Sequence, residues 1–135
     1  MIRLDSVTYS YNSTGNVLNG ISIDIDSGEH IAVIGPNGSG KTTLLRHMNG
    51  LLAPSSGRVT VDDIDTKIRS TLPQVRQLAG MVFQNPDNQI VGMTVEEDVA
   101  FGPGNLGLPP AEIRRRVERS LARVGIQGLS SRTPS

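Results

Sequence analysis

The chain has 135 residues, is 36% hydrophobic and carries 15 glycines, which is enough for one core and too apolar for a disordered or fibrous class. Thirteen Lys and Arg balance thirteen Asp and Glu for a formal net charge of +0, which argues against nucleic acid or an anionic membrane surface as the main partner. The absence of cysteine removes disulfides, thiolate metal sites and thiol nucleophiles and fits a reducing compartment; with no secretory-leader core in "MIRLDSVTYS" and no apolar run near about eighteen residues, neither export by an N-terminal signal nor a membrane span is expected.

Ile2 and Leu4 alternate with polar neighbours, Ser6 shifts the phase, and Val7, Tyr9 and Tyr11 follow, predicting a first strand with a bulge. "NSTGN" at 12–16 is turn chemistry. Leu18, Ile21, Ile23 and Ile25 against Ser22, Asp24 and Asp26 then predict a second, half-buried strand, so that both read as antiparallel outer layers. His30 to Ile34 is short and nearly all apolar, the pattern of a strand buried on both faces of a parallel sheet. From Lys41 the spacing of Leu44, Leu45, Met48 and Leu51 or Leu52 is helical, with Gly50 or Pro54 as the stop. Val59 and Val61 alternate with Arg58, Thr60 and Asp62, the pattern of an edge or antiparallel strand. Residues 66–78 carry no decisive pattern. Leu78 to Phe83 predicts another short apolar strand, and "QNPDNQIVG" a polar loop.

Thr94, with Glu97 three residues later, is a capping box that starts a helix at "TVEEDVAF", and "GPGNLGLPP" is expected to break it. Pro110 opens a last amphipathic helix with an apolar stripe of Ile113, Val117, Leu121 and Val124, closed by Gly125. Arg114, Arg115, Arg116, Arg119 and Arg123 share that helix with Glu112 and Glu118. With no aromatic nearby for base stacking, they read as a solvated face and not as a nucleic-acid patch. No internal repeat occurs. A soft boundary near Asn85 separates a sheet-based part, residues 1–85, from a helical part, residues 86–135.

The chemistry concentrates in "VIGPNGSGKTTLL". Gly35, Gly40, Lys41 and Thr42 fit G-x-x-x-x-G-K-[ST] between an apolar run and a helix, which is the context of a phosphate-binding loop. Lys41 is one of only two lysines in the chain, and an ammonium set among glycines needs an anion. The loop Gly35, Pro36, Asn37, Gly38, Ser39 and Gly40 can curl so that successive amides point inward, and the helix that follows adds its positive end. Lys41 then supplies a full charge at the β and γ phosphates, the Thr42 hydroxyl is placed to ligate Mg2+, and Thr43 can reach the α phosphate. A plain glycine-rich turn with a solvated lysine is the competing reading; it leaves four fixed positions and both flanks unexplained.

Around that loop "GPNGSGKTTLLRHMNGLLAPSSGRVTVDD" resembles the ATP-binding subunits of ATP-binding cassette (ABC) transporters, and the likeness continues through "GMVFQNPDNQIVGMTVEEDVAFGPGNLGLP". The second stretch is similar to the ATPases of energy-coupling factor importers, which take up vitamins and transition-metal ions, and especially to the cobalt-transport group. The resemblance covers nearly all of the chain. It implies an α/β fold: a P-loop NTPase of the ABC ATPase core with an N-terminal antiparallel β subdomain and the start of a helical subdomain.

By the same resemblance Tyr11 is the aromatic that stacks on adenine, with Tyr9 as runner-up and strand packing as the alternative for both. Gln84 is the glutamine that contacts Mg2+ or orients the attacking water. Lys41 and Gln84 are then the catalytic candidates and Thr42 and Gln84 the metal candidates, with ATP and Mg2+ as ligands. The implied partners are a second ABC ATPase subunit, identical or not, and an integral membrane component touched by residues near 87–101, with Gln89, Ile90 and Val91 as surface contacts or, alternatively, buried anchors. The implied location is cytoplasmic, peripheral on the inner face of the cell membrane. An acidic residue is common in the family where this chain has Gly104, which predicts a looser turn.

The signature LSGGQ, the acidic strand end and the switch histidine of the family do not occur in these 135 residues. Only His30 and His47 are present, neither at a switch position. The chain is therefore expected to be a truncated ATPase that binds phosphates with negligible hydrolysis by itself, and to be marginally stable or assembled with another copy. The alternative reading is a non-catalytic nucleotide-binding module.

Overall fold

A computed structural model of the chain describes residues 1–12, 15–85 and 87–134. Ser13 and Thr14 of the expected turn, Pro86 of the expected polar loop, and the final Ser135 lie outside the described residues, as does the side chain of Asp87. The chain divides into two compact units, Met1–Met81 and Val82–Ser135; the boundary read from the sequence stands a few residues later.

The first unit is built on a four-stranded antiparallel sheet: β1 (Ile2–Tyr9), β2 (Leu18–Ile25), β3 (Ser56–Val61) and the short β4 (Ile64–Asp65), in the order β2-β1-β3-β4. Period-two alternation sets the register. Leu4 lies opposite Ile23 and Val59, and Ile2 opposite Ile25 and Val61, so one face of the sheet is apolar. The phase shift at Ser6 is a genuine irregularity, with φ +50° and a break in register between Leu4 and Val7. Gly57, at φ +80°, makes room for it from β3. A Cβ there would run into the carbonyl oxygens of Asp5 and Ser6.

Helix α1 (Lys41–Met48) covers the apolar face, adding Leu44 and Met48 to a core with Leu4, Val7, Leu18 and Val59. Each such side chain contributes roughly 1.5–3 kcal/mol on burial. Its buried face is Thr43, Leu44, His47 and Met48, whereas Leu45, placed inward by the spacing argument, is exposed; of the alternatives Leu51 and Leu52, beyond the helix, Leu52 is half-buried and Leu51 exposed. The undecided stretch 66–78 becomes a 3-10 turn (Arg69–Thr71) and a helix α2 (Leu72–Leu78), with Pro73 in its first turn and Val75 buried.

Two expected strands do not form. His30 to Ile34 has no ladder partner among the described residues and Ile34 is 91% exposed; Leu78 ends α2, and Val82 is 88% exposed. Both runs are apolar on consecutive positions and not on alternate ones, a pattern that calls for cover on two faces. No described strand lies alongside either, and an unpaired extended segment has no hydrogen-bond ladder to define it.

In the second unit α3 (Val95–Asn105) packs against α4 (Pro110–Val124). The capping box is complete: the Glu97 amide donates to the Thr94 hydroxyl at 3.3 Å while the Glu97 carboxylate accepts from the Thr94 amide at 3.1 Å. The expected break after Phe101 comes later. The helix runs through Pro103 to Asn105 and ends in tighter turns, Leu106 N–H to Pro103 O and Gly107 N–H to Gly104 O. Along α4 Val117 and Leu121 are buried, but Val124 is exposed, which corrects its place in the stripe. Gly125, at φ +75°, turns the chain so that the Ile126 amide reaches back to Leu121 O, and half-buried Ile126 follows where Val124 was expected to pack. No helix among the described residues is long and apolar enough to cross a membrane.

Candidate functional site

The glycine-rich loop enters α1 through Gly40, the N-cap, at φ +90°. That left-handed conformation suits glycine alone, and a Cβ would also come within 3.0 Å of the Val17 carbonyl oxygen. The first-turn amides of α1 have no intrahelical acceptor, and no acidic side chain stands in that turn to answer their partial positive charge. The residues Gly35 to Ser39 are exposed, so the amide-rich turn opens to solvent. Lys41 lies back across it: Nζ donates to the carbonyl oxygens of Gly35 and Pro36, both at 2.8 Å. An ammonium held only by two neutral carbonyls above a helix start is poised to exchange them for anionic oxygens.

Tyr11 is brought to this loop from just beyond β1. Its hydroxyl lies 3.2 Å from Thr43 Oγ1, and about half of the residue is exposed. Tyr9 meets Tyr11 edge-on with ring centroids 5.0 Å apart, and on its other side meets His47 edge-on at 4.6 Å. His47 Nδ1 is 2.7 Å from the Thr43 carbonyl oxygen. The expected set Tyr11 and Gly35 to Thr43 is therefore assembled in one place, with Thr43 buried and its hydroxyl already engaged, while Thr42 is exposed beside it. His47 was legible in the sequence only as a helix residue that is not a switch histidine; no spacing rule marks it.

Gln84 belongs to the second unit, in an exposed segment after Phe83. Gln89, expected as a surface contact, is half-buried, and its amide bonds to the neighbouring chain. It donates to the carbonyl oxygens of Phe83 at 3.4 Å and Asn85 at 3.2 Å, bracing the stretch that holds Gln84. The exposed apolar groups follow: Ile90, Val91 at 62% and Met93 at 81%, with Phe101 on α3. Four successive amides behind them are secured by two carboxylates. Asp98 accepts from Val91 at 2.7 Å and Gly92 at 3.0 Å, and Glu97 from Met93 at 3.0 Å and Thr94 at 3.1 Å. The bond from the Val91 amide, then that from Gly92, holds the Asp98 carboxyl below its ordinary range. On α4 the hydrogen bond from Arg115, then that from Arg116, lowers Glu112 to about 2. Arg115 and Arg116 are thus paired with Glu112, and all five arginines of the helix are exposed.

No group of three or more His, Asp or Glu capable of holding a metal exists among the described residues. The donor chemistry at the loop, one exposed threonine hydroxyl, fits a hard cation that arrives on phosphate oxygens and keeps its waters, as Mg2+ does.

The sequence profile of the family described as ABC transporter matches residues 18–135. The cobalt import ATP-binding protein CbiO of Syntrophus aciditrophicus is 54% identical over 136 aligned residues, 100% of this chain and 49% of that protein. The energy-coupling factor transporter ATP-binding protein EcfA of Methanosarcina acetivorans is 53% identical over 99% of this chain and 49% of its own length. The solved structure of cbiO1 from Clostridium perfringens, described as part of the ABC transporter complex cbiONQ, superimposes with a TM-score of 0.85 at 40% identity, covering 98% of this chain and 53% of that one. The chain spans about half the length of the curated relatives it matches.

Proposed function

The chain belongs to the ABC transporter family, and we propose that it is the nucleotide-binding part of an energy-coupling importer ATPase that takes Mg-ATP at Gly35 to Thr43. One observation carries the reading: Lys41 Nζ lies over the loop on two carbonyls, above first-turn amides that no acidic side chain compensates. Phosphate oxygens would take the place of the Gly35 and Pro36 carbonyls. Tyr11 offers its exposed ring to the base, and on leaving Thr43 it frees that hydroxyl for the α phosphate. Mg2+, when bound, would neutralise phosphate charge, held by Thr42 and, as the family resemblance implies, by Gln84.

Use of that ATP requires groups beyond these residues. Among the described residues no carboxylate pairs with Lys41 at this loop, so turnover is assigned to the complete site formed with a second ATPase subunit. The uptake of a vitamin or transition-metal ion is assigned to the assembled importer on the cytoplasmic membrane face. The apolar tip of Ile90, Val91 and Met93 is the surface offered to the membrane component, because two carboxylates spend themselves on holding its backbone in that exposed form. Equilibrium binding of Mg-ATP, compared with Lys41→Ala, tests the nucleotide reading. Binding without phosphate release supports a module of the kind described, and absence of binding at millimolar Mg-ATP by folded protein overturns it.

A further inference from the structure

Tyr11, Thr43, His47 and Tyr9 form a closed ring of contacts: hydroxyl to hydroxyl at 3.2 Å, imidazole Nδ1 to the Thr43 carbonyl oxygen at 2.7 Å, and two edge-on aromatic contacts with centroids 4.6 and 5.0 Å apart. His47 is the fully buried member, at 0% exposure. A carbonyl only accepts, so Nδ1 carries a proton and donates to it. Nε2 is buried and has no partner among the described residues. What the imidazole supplies here is a ring edge-on to Tyr9 and an N–H on the Thr43 carbonyl oxygen, and these two contacts can be separated by substitution.

We infer that His47 is a positioning residue for nucleobase recognition: it packs edge-on against Tyr9, Tyr9 packs edge-on against Tyr11, and the Tyr11 ring stays supported from the Tyr9 side when its hydroxyl leaves Thr43. The inference rests on the reading that Gly35 to Thr43 and Tyr11 bind ATP. It adds to that reading a residue that touches neither base nor phosphate. Its consequence is selective, because the ring of His47 reaches the base side through Tyr9 and Tyr11, whereas toward the phosphate loop His47 meets only the Thr43 carbonyl oxygen, which His47→Asn keeps bonded.

The test compares the wild-type chain, His47→Asn and His47→Phe for binding of Mg-ATP and of magnesium with inorganic tripolyphosphate, which has no base. Asparagine keeps an N–H for the Thr43 carbonyl and removes the ring from Tyr9; phenylalanine keeps a ring and removes the donor. His47→Asn is expected to weaken Mg-ATP about three- to tenfold, the range of a lost aromatic contact, with tripolyphosphate changed less than about twofold. His47→Phe should keep the wild-type ratio of the two affinities. The chain has two tyrosines and no tryptophan, so near-ultraviolet circular dichroism of ligand-free protein should lose tyrosine signal in His47→Asn and retain it in His47→Phe.

Equal weakening of both ligands by His47→Asn, or an unchanged ratio, overturns the inference while the nucleotide reading stands. A folded wild-type chain that binds neither ligand overturns the nucleotide reading and this inference with it. Should His47→Asn not fold, Tyr9→Leu removes the same ring contact from the other side and carries the same expectation.

Discussion

Replacing Lys41 by alanine isolates the charge at the centre of the proposed site. In the ligand-free chain Nζ makes two 2.8 Å bonds to neutral carbonyl oxygens of an exposed loop. Binding of a triphosphate exchanges them for anionic oxygens, so the difference is mainly Coulombic. Two unit charges 4 Å apart interact by about 4 kcal/mol at an effective dielectric of about 20. Solvent around so open a loop reduces that to about 2–3 kcal/mol, or about 30- to 150-fold in Kd. The fold itself loses only two loop bonds in water, so the thermal midpoint should move by less than about 4 °C. Equilibrium titration with Mg-ATP, alongside a thermal melt, reads both quantities. An affinity within about threefold of wild type, with the melt unchanged, would refute the exchange argument.

Tyr11→Phe keeps the ring and removes the hydroxyl that occupies Thr43 Oγ1; Mg-ATP should bind as tightly as wild type or up to about fivefold tighter, since a competing hydrogen bond is gone, and calorimetric titration reads the sign. Thr94→Ala removes the side-chain half of the capping box and should cost about 1 kcal/mol in urea unfolding of the second unit, with α3 fraying first in hydrogen exchange. Asp98 has its folded carboxyl held below the ordinary value of 3.8 by the Val91 and Gly92 amides. Its contribution is therefore present above that value and lost as pH falls through the lower folded value, so the stability gap between wild type and Asp98→Asn should close below about pH 4, as urea midpoints across pH would show. Val91→Ser with Met93→Ser should leave Mg-ATP binding unchanged and reduce association with the membrane component in reconstituted vesicles; unchanged association would remove the apolar tip from the docking surface.

The sequence by itself determined whatever depends on a few neighbouring residues. The pattern of the proposed phosphate loop was legible because Gly35, Gly40, Lys41 and Thr42 act through local backbone geometry and one charge; the fold adds Gly40 at φ +90° and Lys41 resting on the Gly35 and Pro36 carbonyls. The bulge at Ser6, the capping box at Thr94 and the stop at Gly125 were legible for the same reason: each is written within a turn or two of chain. Tertiary structure decided what depends on residues far apart. Whether His30 to Ile34 becomes a strand is set by neighbours that no local pattern supplies, and none of the described strands pairs with it. Val124, the last residue of α4, is exposed, whereas Ile126, beyond the turn at Gly125, is half-buried, a difference that no local periodicity shows. The ring of Tyr9, Tyr11, Thr43 and His47 joins residues more than thirty positions apart, and the Gln89 amide bonds to Phe83 and Asn85. Periodicity reports which face of an element is apolar; only the folded chain decides which distant group that face meets.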